Sequence, residues 1–546
     1  MNDSNANTSL LQTWAALLAV SLGIFAITLD GSMMPVAIGS IVNDFKTQVG
    51  FVQAAMAIHS LVMASMYLAA GKLGDWLGLK RIFMAGAIIF AAGTITAALS
   101  PNIWVLLLGW SFIKPLGGAM MIPAASSLIV LNYHGKQRSA AFGIFSAFVA
   151  AAAVIGPVYM GFIASTISWR WAFGSEPLLI ALLIFFASMV SESERDQNMR
   201  FDFFGALLTF LGLGLIVLGA TLAGEFGWWQ ARRPFLIGDT EFAPFGLSAA
   251  FIIIVSGLVL LSVFALWSRA QSKLGGAPLF HMQLFNNRTF SLGSLLGFCF
   301  QLAVGGLLFV LPVFLQSALG LGALQTGIVL LPYTLGIFIL ALIASRLPAR
   351  FSVIRIVRIG LVLMLAGAWW VQHTASLELQ WASLIPALFL FGAGAGMVLA
   401  RLPEITLSNI KPAELGEASG GDSTGKELGV AFGVSILGSM FLLSVYGNVV
   451  DLYDAYYDNP TATAQERDKA IVELEDWASK LSDEEWQAYL DGFPEFISEA
   501  YEAIVSSAYL AGYRSTLQII IGVIVVMVLL SLLLPRQRPT DTKATE

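Results

Sequence analysis

The sequence predicts an all-α polytopic membrane protein, and three observations carry that prediction. Hydrophobic residues fill 57% of the 546 positions and charged residues only 12%, with a mean hydropathy of +0.78. A soluble core of this size needs far more charge on its surface. Apolar runs of roughly 20 residues recur from end to end, each long enough to cross about 30 Å of hydrocarbon. The runs are continuous rather than alternating, so the backbone must satisfy itself within helices, and a β-barrel does not fit.

Apolar windows place about fourteen spans, near 13–39, 51–70, 82–99, 103–130, 139–163, 172–190, 203–223, 247–267, 289–315, 323–346, 354–372, 381–409, 427–447 and 515–535. The leader MNDSNANTSLLQ has no Lys or Arg, and no small-residue cleavage site ends the first run, so it reads as a retained span rather than a secretory signal. Lys and Arg collect in the connections GKLGDWLGLKR, NYHGKQR and SRLPARFSVIRIVR and in the tail RQRPTDTK. The positive-inside rule then puts both termini in the cytoplasm, as an even span count requires. Weak internal symmetry suggests a six-helix bundle over 1–190, two linking spans within 191–288, and a second six-helix bundle over 289–546.

The connection 448–513 is unlike the others: long, acidic, and expected on the outer face. Ile471, Leu474, Trp477, Leu481 and Tyr489 approximate a helical stripe that Leu490, Phe493, Phe496, Ile497 and Ile504 continue. Two amphipathic helices split near Gly492 and Pro494 are expected, forming a solvated cap or an acidic vestibule that concentrates cations.

Within the first apolar run stands Asp30. An ionisable group in hydrocarbon costs at least a few kcal/mol, so it usually faces a polar cavity, pairs with a partner or takes up a proton. That points to transport. The single cysteine, Cys299, excludes an intramolecular disulfide, and His59, His134, His281 and His373 have no ligand spacing. No metal and no cofactor are expected. The chain has no GxxxxGK[ST] loop and no Ser, His and Asp constellation, so neither an ATP-driven pump nor an enzyme is expected.

Between spans two and three, GKLGDWLGLKR carries Gly71, Leu73, Asp75, Gly78, Lys80 and Arg81. It resembles the GxLxDRxGRK(R) signature of the major facilitator superfamily. The glycines allow a tight turn, and Asp75 suits a helix N-terminus or a basic partner as a conformational latch. Trp76 replaces the family's Arg. In span five, Gly156, Pro157 and Gly161 match the GPxxG signature of the antiporter branch, where close helix approach and a kink permit gating; Phe162 replaces a final glycine. LDGSMMPVAIGSI, SWRWAF, LPVFLQSALGLGALQTGIVLLP and ASGGDSTGKELGVAFG are similar to the 14-helix drug:proton antiporter family. The resemblance implies a major facilitator fold with two extra central helices, 14 transmembrane helices, and multidrug efflux.

Span four departs from that family. LLLGWSFIKPLGGAMMIPAA has Ser111 where the family carries Arg, Lys114 in place of Gln and Pro115 in place of Gly. Lys114 falls about eleven residues into its span, near the midplane at 1.5 Å per residue, where it must pair, snorkel or lose its proton. Asp30 is therefore expected to titrate together with Lys114. Glu176 in span six is a further candidate, and Arg401 with Glu404 in span twelve have the spacing of an ion pair on one helix face. Met33, Met34, Phe300, Gln301, Phe309 and Tyr333 suit a substrate cavity that re-packs around lipophilic, aromatic and cationic compounds.

The function expected from this reading is proton-coupled export of lipophilic, cationic small molecules by alternating access, from the cell (inner or plasma) membrane. The alternatives are a proton-coupled transporter of a specific metabolite, including an anionic one with Lys114 as counter-charge, and a non-transporting membrane sensor or assembly partner. Substrate, protons and the lipid bilayer are the expected partners, nucleic acid is not, and a monomer is expected.

Overall fold

Asn102, Ser168, Asp202, Ser248 and Asn287 each precede an apolar run and accept a backbone N–H from its first turn, satisfying groups that a helix start leaves orphaned. The runs they open are helices in the computed structural model, which describes residues 10–535 except 134, 191, 193–200, 233–234, 238–239, 243, 347–351, 379, 412–413, 457–465, 468 and 475–494. Among the described residues, fourteen helices are long and apolar enough to cross a membrane. Spans 1 to 7 are Trp14–Phe45, Val49–Gly74, Leu79–Ala98, Ile103–Asn132, Ala140–Thr166, Trp169–Ser188 and Phe203–Gly224. Spans 8 to 14 are Ala249–Lys273, Arg288–Ala318, Ala323–Arg346, Val353–Thr374, Trp381–Thr406, Gly416–Leu452 and Tyr501–Leu532. A short antiparallel ribbon, 235–237 with 240–242, interrupts the helical pattern between spans 7 and 8.

Spans 13 and 14 begin earlier than expected, at Gly416 rather than near 427 and at Tyr501 rather than near 515. A hydropathy window stops at charge. In span 13, Lys426 and Asp422, four residues apart, pair at 2.5 Å and neutralise one another, so the helix continues through them. The acidic connection also differs from expectation. A helix does start at Glu495, after Pro494, but it runs unbroken to Leu532 and so merges with span 14 instead of standing as a separate element. Helix is also present at 466–467 and 469–474, where Ile471 is buried and Arg467 holds Asp451 through two 2.7 Å bonds. Phe496 and Ile497 lie in the long helix; Trp477, Leu481, Tyr489, Leu490, Gly492, Phe493 and Pro494 lie outside the described residues.

Fourteen crossings return the chain to the face from which it started, so both ends share one face, called here the terminal face; the other is the distal face. Spans 7 and 8 pack on each other, and span 7 lies against span 2 and reaches span 13 through a Thr221–Ser435 hydroxyl contact of 2.8 Å. The pair thus covers the seam between the flanking bundles. Spans 2 and 13 also meet in their terminal halves, where the Thr424 hydroxyl donates to the Ala64 carbonyl at 3.1 Å, and further contacts across the seam lie near the distal face. Gln316 of span 9 accepts the Gly39 N–H of span 1 at 2.7 Å, and Gln53 of span 2 donates to the Val434 and Ser435 carbonyls of span 13 at 3.0 and 2.9 Å. A cavity of about 800 Å³ lies beyond these contacts, lined by Asn43, Gln48, Gln316, Tyr446, Glu502 and Tyr509 among others.

Candidate functional site

Span 4 is held tightly against span 3 by glycine. A Cβ on Gly86 would lie 2.7 Å from the Gly117 carbonyl oxygen, and one on Gly109 would lie 2.7 Å from the Ala97 nitrogen. This close approach pins the stretch of span 4 that is locally irregular. Residues Leu107–Ile113 form a π-helical segment, and the Lys114 N–H bonds the Gly109 carbonyl five residues back. Pro115, which has no N–H, follows at once. The wider turn changes the angular register of span 4 and is a recurrent device at functional sites.

What it positions is a buried three-charge centre. Lys114 Nζ lies 2.5 Å from Asp30 Oδ1 of span 1 and 2.6 Å from Glu176 Oε2 of span 6, with side-chain exposures of 0%, 1% and 0% for Lys114, Asp30 and Glu176. The Trp110 indole N–H donates to Asp30 Oδ1 at 2.8 Å, and the Thr94 hydroxyl donates to Glu176 Oε2 at 3.2 Å. Phe90 and Phe173 present their rings to the ammonium at 4.8 and 5.0 Å, an arrangement that favours a cation. Glu176 Oε1 is buried and has no hydrogen-bond partner among the described residues. With all three groups ionised, two carboxylates and one ammonium sum to a single negative charge, and a buried net charge is costly unless compensated. One added proton makes the centre neutral. The arrangement can therefore bind and release a proton in response to its surroundings.

Asp30, Lys114 and Glu176, singled out on three separate spans, are thus brought together; Ser111, three residues before Lys114 in span 4, is buried with its hydroxyl unpartnered among the described residues. Arg401 and Glu404 pair at 2.7 Å, and Arg401 also donates to the Ala344 carbonyl, near the terminal-face ends of spans 10 and 12 and apart from the centre. Of the six residues put forward for a cavity, Met33, Met34, Phe300, Phe309 and Tyr333 are buried in hydrophobic packing, and none of the six lines the distal cavity. Gly78 makes its turn at φ +103°, Glu192 accepts the Lys80 N–H at 3.1 Å and lies 3.5 Å from Arg81, and the Lys80 ammonium bonds the Ser188 and Val190 carbonyls. Gly71 has open space about it. The Asp75 side chain, to which the latch role was given, lies outside the described residues.

Gly156, Pro157 and Gly161 form a contact face of span 5. Leu29 and Ser32 of span 1 crowd Gly156, the Pro157 carbonyl lies over Gly327 of span 10, and a Cβ on Gly161 would lie 2.7 Å from the Ala323 carbonyl oxygen. Gly161→Leu should hold spans 5 and 10 apart at the distal face. In a Cys299→Ser background carrying Asn43→Cys, thiol labelling from the distal side should speed up several-fold; unchanged labelling would show that the glycine does not close this face.

Two groups were missed by the sequence reading. Trp110, Thr94, Phe90 and Phe173 are ordinary span residues whose polar or aromatic role appears only in three dimensions. Glu427, the first residue of the span expected at 427–447, was not singled out as a candidate. It is inside span 13, near Tyr67 of span 2, with no ion-pair partner among the described residues. Its visible signal was the i,i+4 spacing of Asp422 and Lys426, which permits the helix to begin earlier.

Fourteen spans around a buried centre of two carboxyl groups and a lysine define a polytopic membrane transporter. Residues 20–434 match the family model of the Major Facilitator Superfamily, and the chain belongs to that family. It is 26% identical over 448 residues to the multidrug transporter protein MdtP of Bacillus subtilis, covering 81% of this chain and 78% of that one. It is 27% identical over 444 residues to the multidrug efflux pump LfrA of Mycolicibacterium smegmatis (80% and 82%) and 26% identical over 441 residues to a probable actinorhodin transporter of Streptomyces coelicolor (78% and 72%). Among solved structures, the bacterial homologue of the human lysosomal transporter Spinster, described as inward-facing and unoccupied, superposes with a TM-score of 0.59 at 15% identity, covering 97% of this chain and all of that one. The inward open xylose transporter XylE from E. coli gives 0.53 at 14% identity, over 87% and 99%. These structural likenesses concern the fold.

Proposed function

We propose that the protein is a proton-driven exporter of lipophilic, cationic small molecules, working by alternating access in the plasma membrane with both termini in the cytoplasm. The observation that carries this reading is the buried Asp30–Lys114–Glu176 centre, in which two carboxyl groups share one lysine. Protons from outside enter the centre, with the unpartnered Glu176 Oε1 as the oxygen free to take one, while Trp110 and Lys114 hold Asp30 as the anion. Neutralising the centre changes the relative stability of the two conformations, and a ligand drives the cycle only through such a difference. The distal contacts between spans 1 and 9, 2 and 13, and 5 and 10 separate as the bundles rock. The Lys- and Arg-rich connections support the orientation, and the names of MdtP and LfrA support the substrate class.

A cationic substrate fits the charges better than an anionic one. Lys114 already faces two carboxylates, whereas Glu427 has no ion-pair partner among the described residues. Glu427→Gln is expected to weaken apparent affinity several-fold for cations and to leave neutral substrates unaffected; equal loss for both would remove Glu427 from recognition. The whole reading is tested in proteoliposomes with an acidic lumen. Adding a lipophilic cation such as ethidium should discharge the gradient while the cation accumulates, and a protonophore, which collapses the gradient by itself, should abolish the accumulation. Accumulation that persists without a proton gradient would overturn the proposal.

A further inference from the structure

His59 of span 2 is buried beside the charge centre, and the proton pathway described above makes no use of it. We propose that His59 is a positioning residue: it fixes the Trp110 indole so that its N–H stays on Asp30. This rests on the reading of the centre as a proton site.

The inference starts from backbone bookkeeping. In a regular helix the Trp110 carbonyl would accept the Lys114 N–H, but the π segment sends that N–H to Gly109. The next donor along, residue 115, is proline and has none. The Trp110 carbonyl is therefore orphaned in the membrane interior, where an unsatisfied polar group is costly. His59 Nδ1 lies 2.9 Å from that oxygen. A carbonyl can only accept, so Nδ1 carries the hydrogen, and in the neutral ring Nε2 is the acceptor. The imidazole also stacks on the Trp110 indole, with centroids 4.3 Å apart and planes 28° from parallel. Backbone and ring of Trp110 are thus gripped by the same side chain, and the indole N–H is aimed at Asp30 Oδ1 at 2.8 Å. A donor held there favours the ionised carboxylate, and so sets the pH at which the centre as a whole takes up its proton.

The charges facing the ring are Asp30 from span 1 and Lys114 from span 4, and Glu176 of span 6 is bonded to Lys114. Span 13, packed on span 2, contributes Asp422, Lys426 and Glu427, the last of which lies near Tyr67. Span 7, also packed on span 2, has no charged residue between Phe203 and Gly224.

The test is infrared titration of carboxyl groups in the purified protein. A band titrating between about pH 5 and 9, the range of strongly perturbed carboxyls, should be lost from that range in both Asp30→Asn and Glu176→Gln. His59→Phe retains the stacking and loses the bond to the carbonyl; it should move the midpoint of that band up by about one pH unit. Trp110→Phe should move it equally, the double variant no further, and His59→Gln, which can still donate to the carbonyl, should restore it. A midpoint unmoved in H59F but moved in W110F overturns the inference, as does an H59Q shift as large as that of H59F, which would make the proton on His59 itself the relevant one. If no band is lost in D30N and E176Q, the proton-site reading fails and this inference falls with it. A wild-type measurement stands beside these in case H59F does not fold. Nitrogen-15 NMR of the four histidines, with His59 assigned through H59Q, should find it in the Nδ1–H form, and an Nε2–H form would overturn the assignment.

Discussion

Lys114→Met should be the most destabilising single substitution among the charged residues of the spans. The methionine fills most of the same space between Phe90 and Phe173, so the packing loss is small; what is lost is the cation between two carboxylates at 2.5 and 2.6 Å. Removing one partner of a buried ion pair leaves an uncompensated charge and costs about 3–5 kcal/mol, and here two acids are stranded together. The apparent melting temperature in detergent should fall sharply at neutral pH. The sign of the pH effect follows from charge. Each proton taken up by Asp30 or Glu176 removes part of the penalty, so the deficit should shrink as the pH is lowered. Lys114→Met combined with Glu176→Gln removes one stranded charge and should recover part of the loss at pH 7, and adding Asp30→Asn should recover more, giving a folded protein without proton-driven transport. A melting curve for K114M that matches the wild type at every pH would mean that the lysine is not held between the two acids.

The parts of this architecture that depend on chain-local pattern were legible in advance. Fourteen apolar runs are visible because each must cross the same thickness of hydrocarbon without help from its neighbours, and the three costly charges, Asp30, Lys114 and Glu176, stood out because nothing else ionisable lies so deep in spans 1, 4 and 6. Their convergence was only half legible. Pairing of Asp30 with Lys114 was expected from the missing arginine, whereas Glu176 as the second partner depends on how spans 3 and 4 close over Gly86, Gly93, Gly109 and Gly117, which is tertiary packing. The π segment is likewise invisible to a 3.6-residue pattern; Pro115 hints at it but does not specify it. Span 13 was cut short because hydropathy counts Asp422 and Lys426 as two charges, while the helix presents them as one neutral pair. That error put Glu427 at the first position of its span, whereas it lies eleven residues into the helix that begins at Gly416.

Asp30→Asn should abolish proton-driven transport while leaving the fold intact, and the two halves of that statement have the same cause. The Asn side-chain oxygen can still accept the Trp110 N–H, so the hydrogen bond at 2.8 Å has a replacement. Lys114 retains Glu176 at 2.6 Å. The centre then sums to zero without a proton, so there is no longer a charge for an incoming proton to cancel, and the conformational equilibrium loses its dependence on the gradient. Substrate accumulation against a gradient in proteoliposomes should drop to that of protein-free vesicles, yet exchange of labelled for unlabelled substrate at equal concentration on both sides, which needs no net proton movement, should continue. Glu176→Gln neutralises the same centre from the other side and should give the same split. The coupling then belongs to the pair of acids that share Lys114, and loss of either one is sufficient to break it. Gradient-driven accumulation surviving in both D30N and E176Q would place proton coupling elsewhere in the chain, with Glu427 next to be examined.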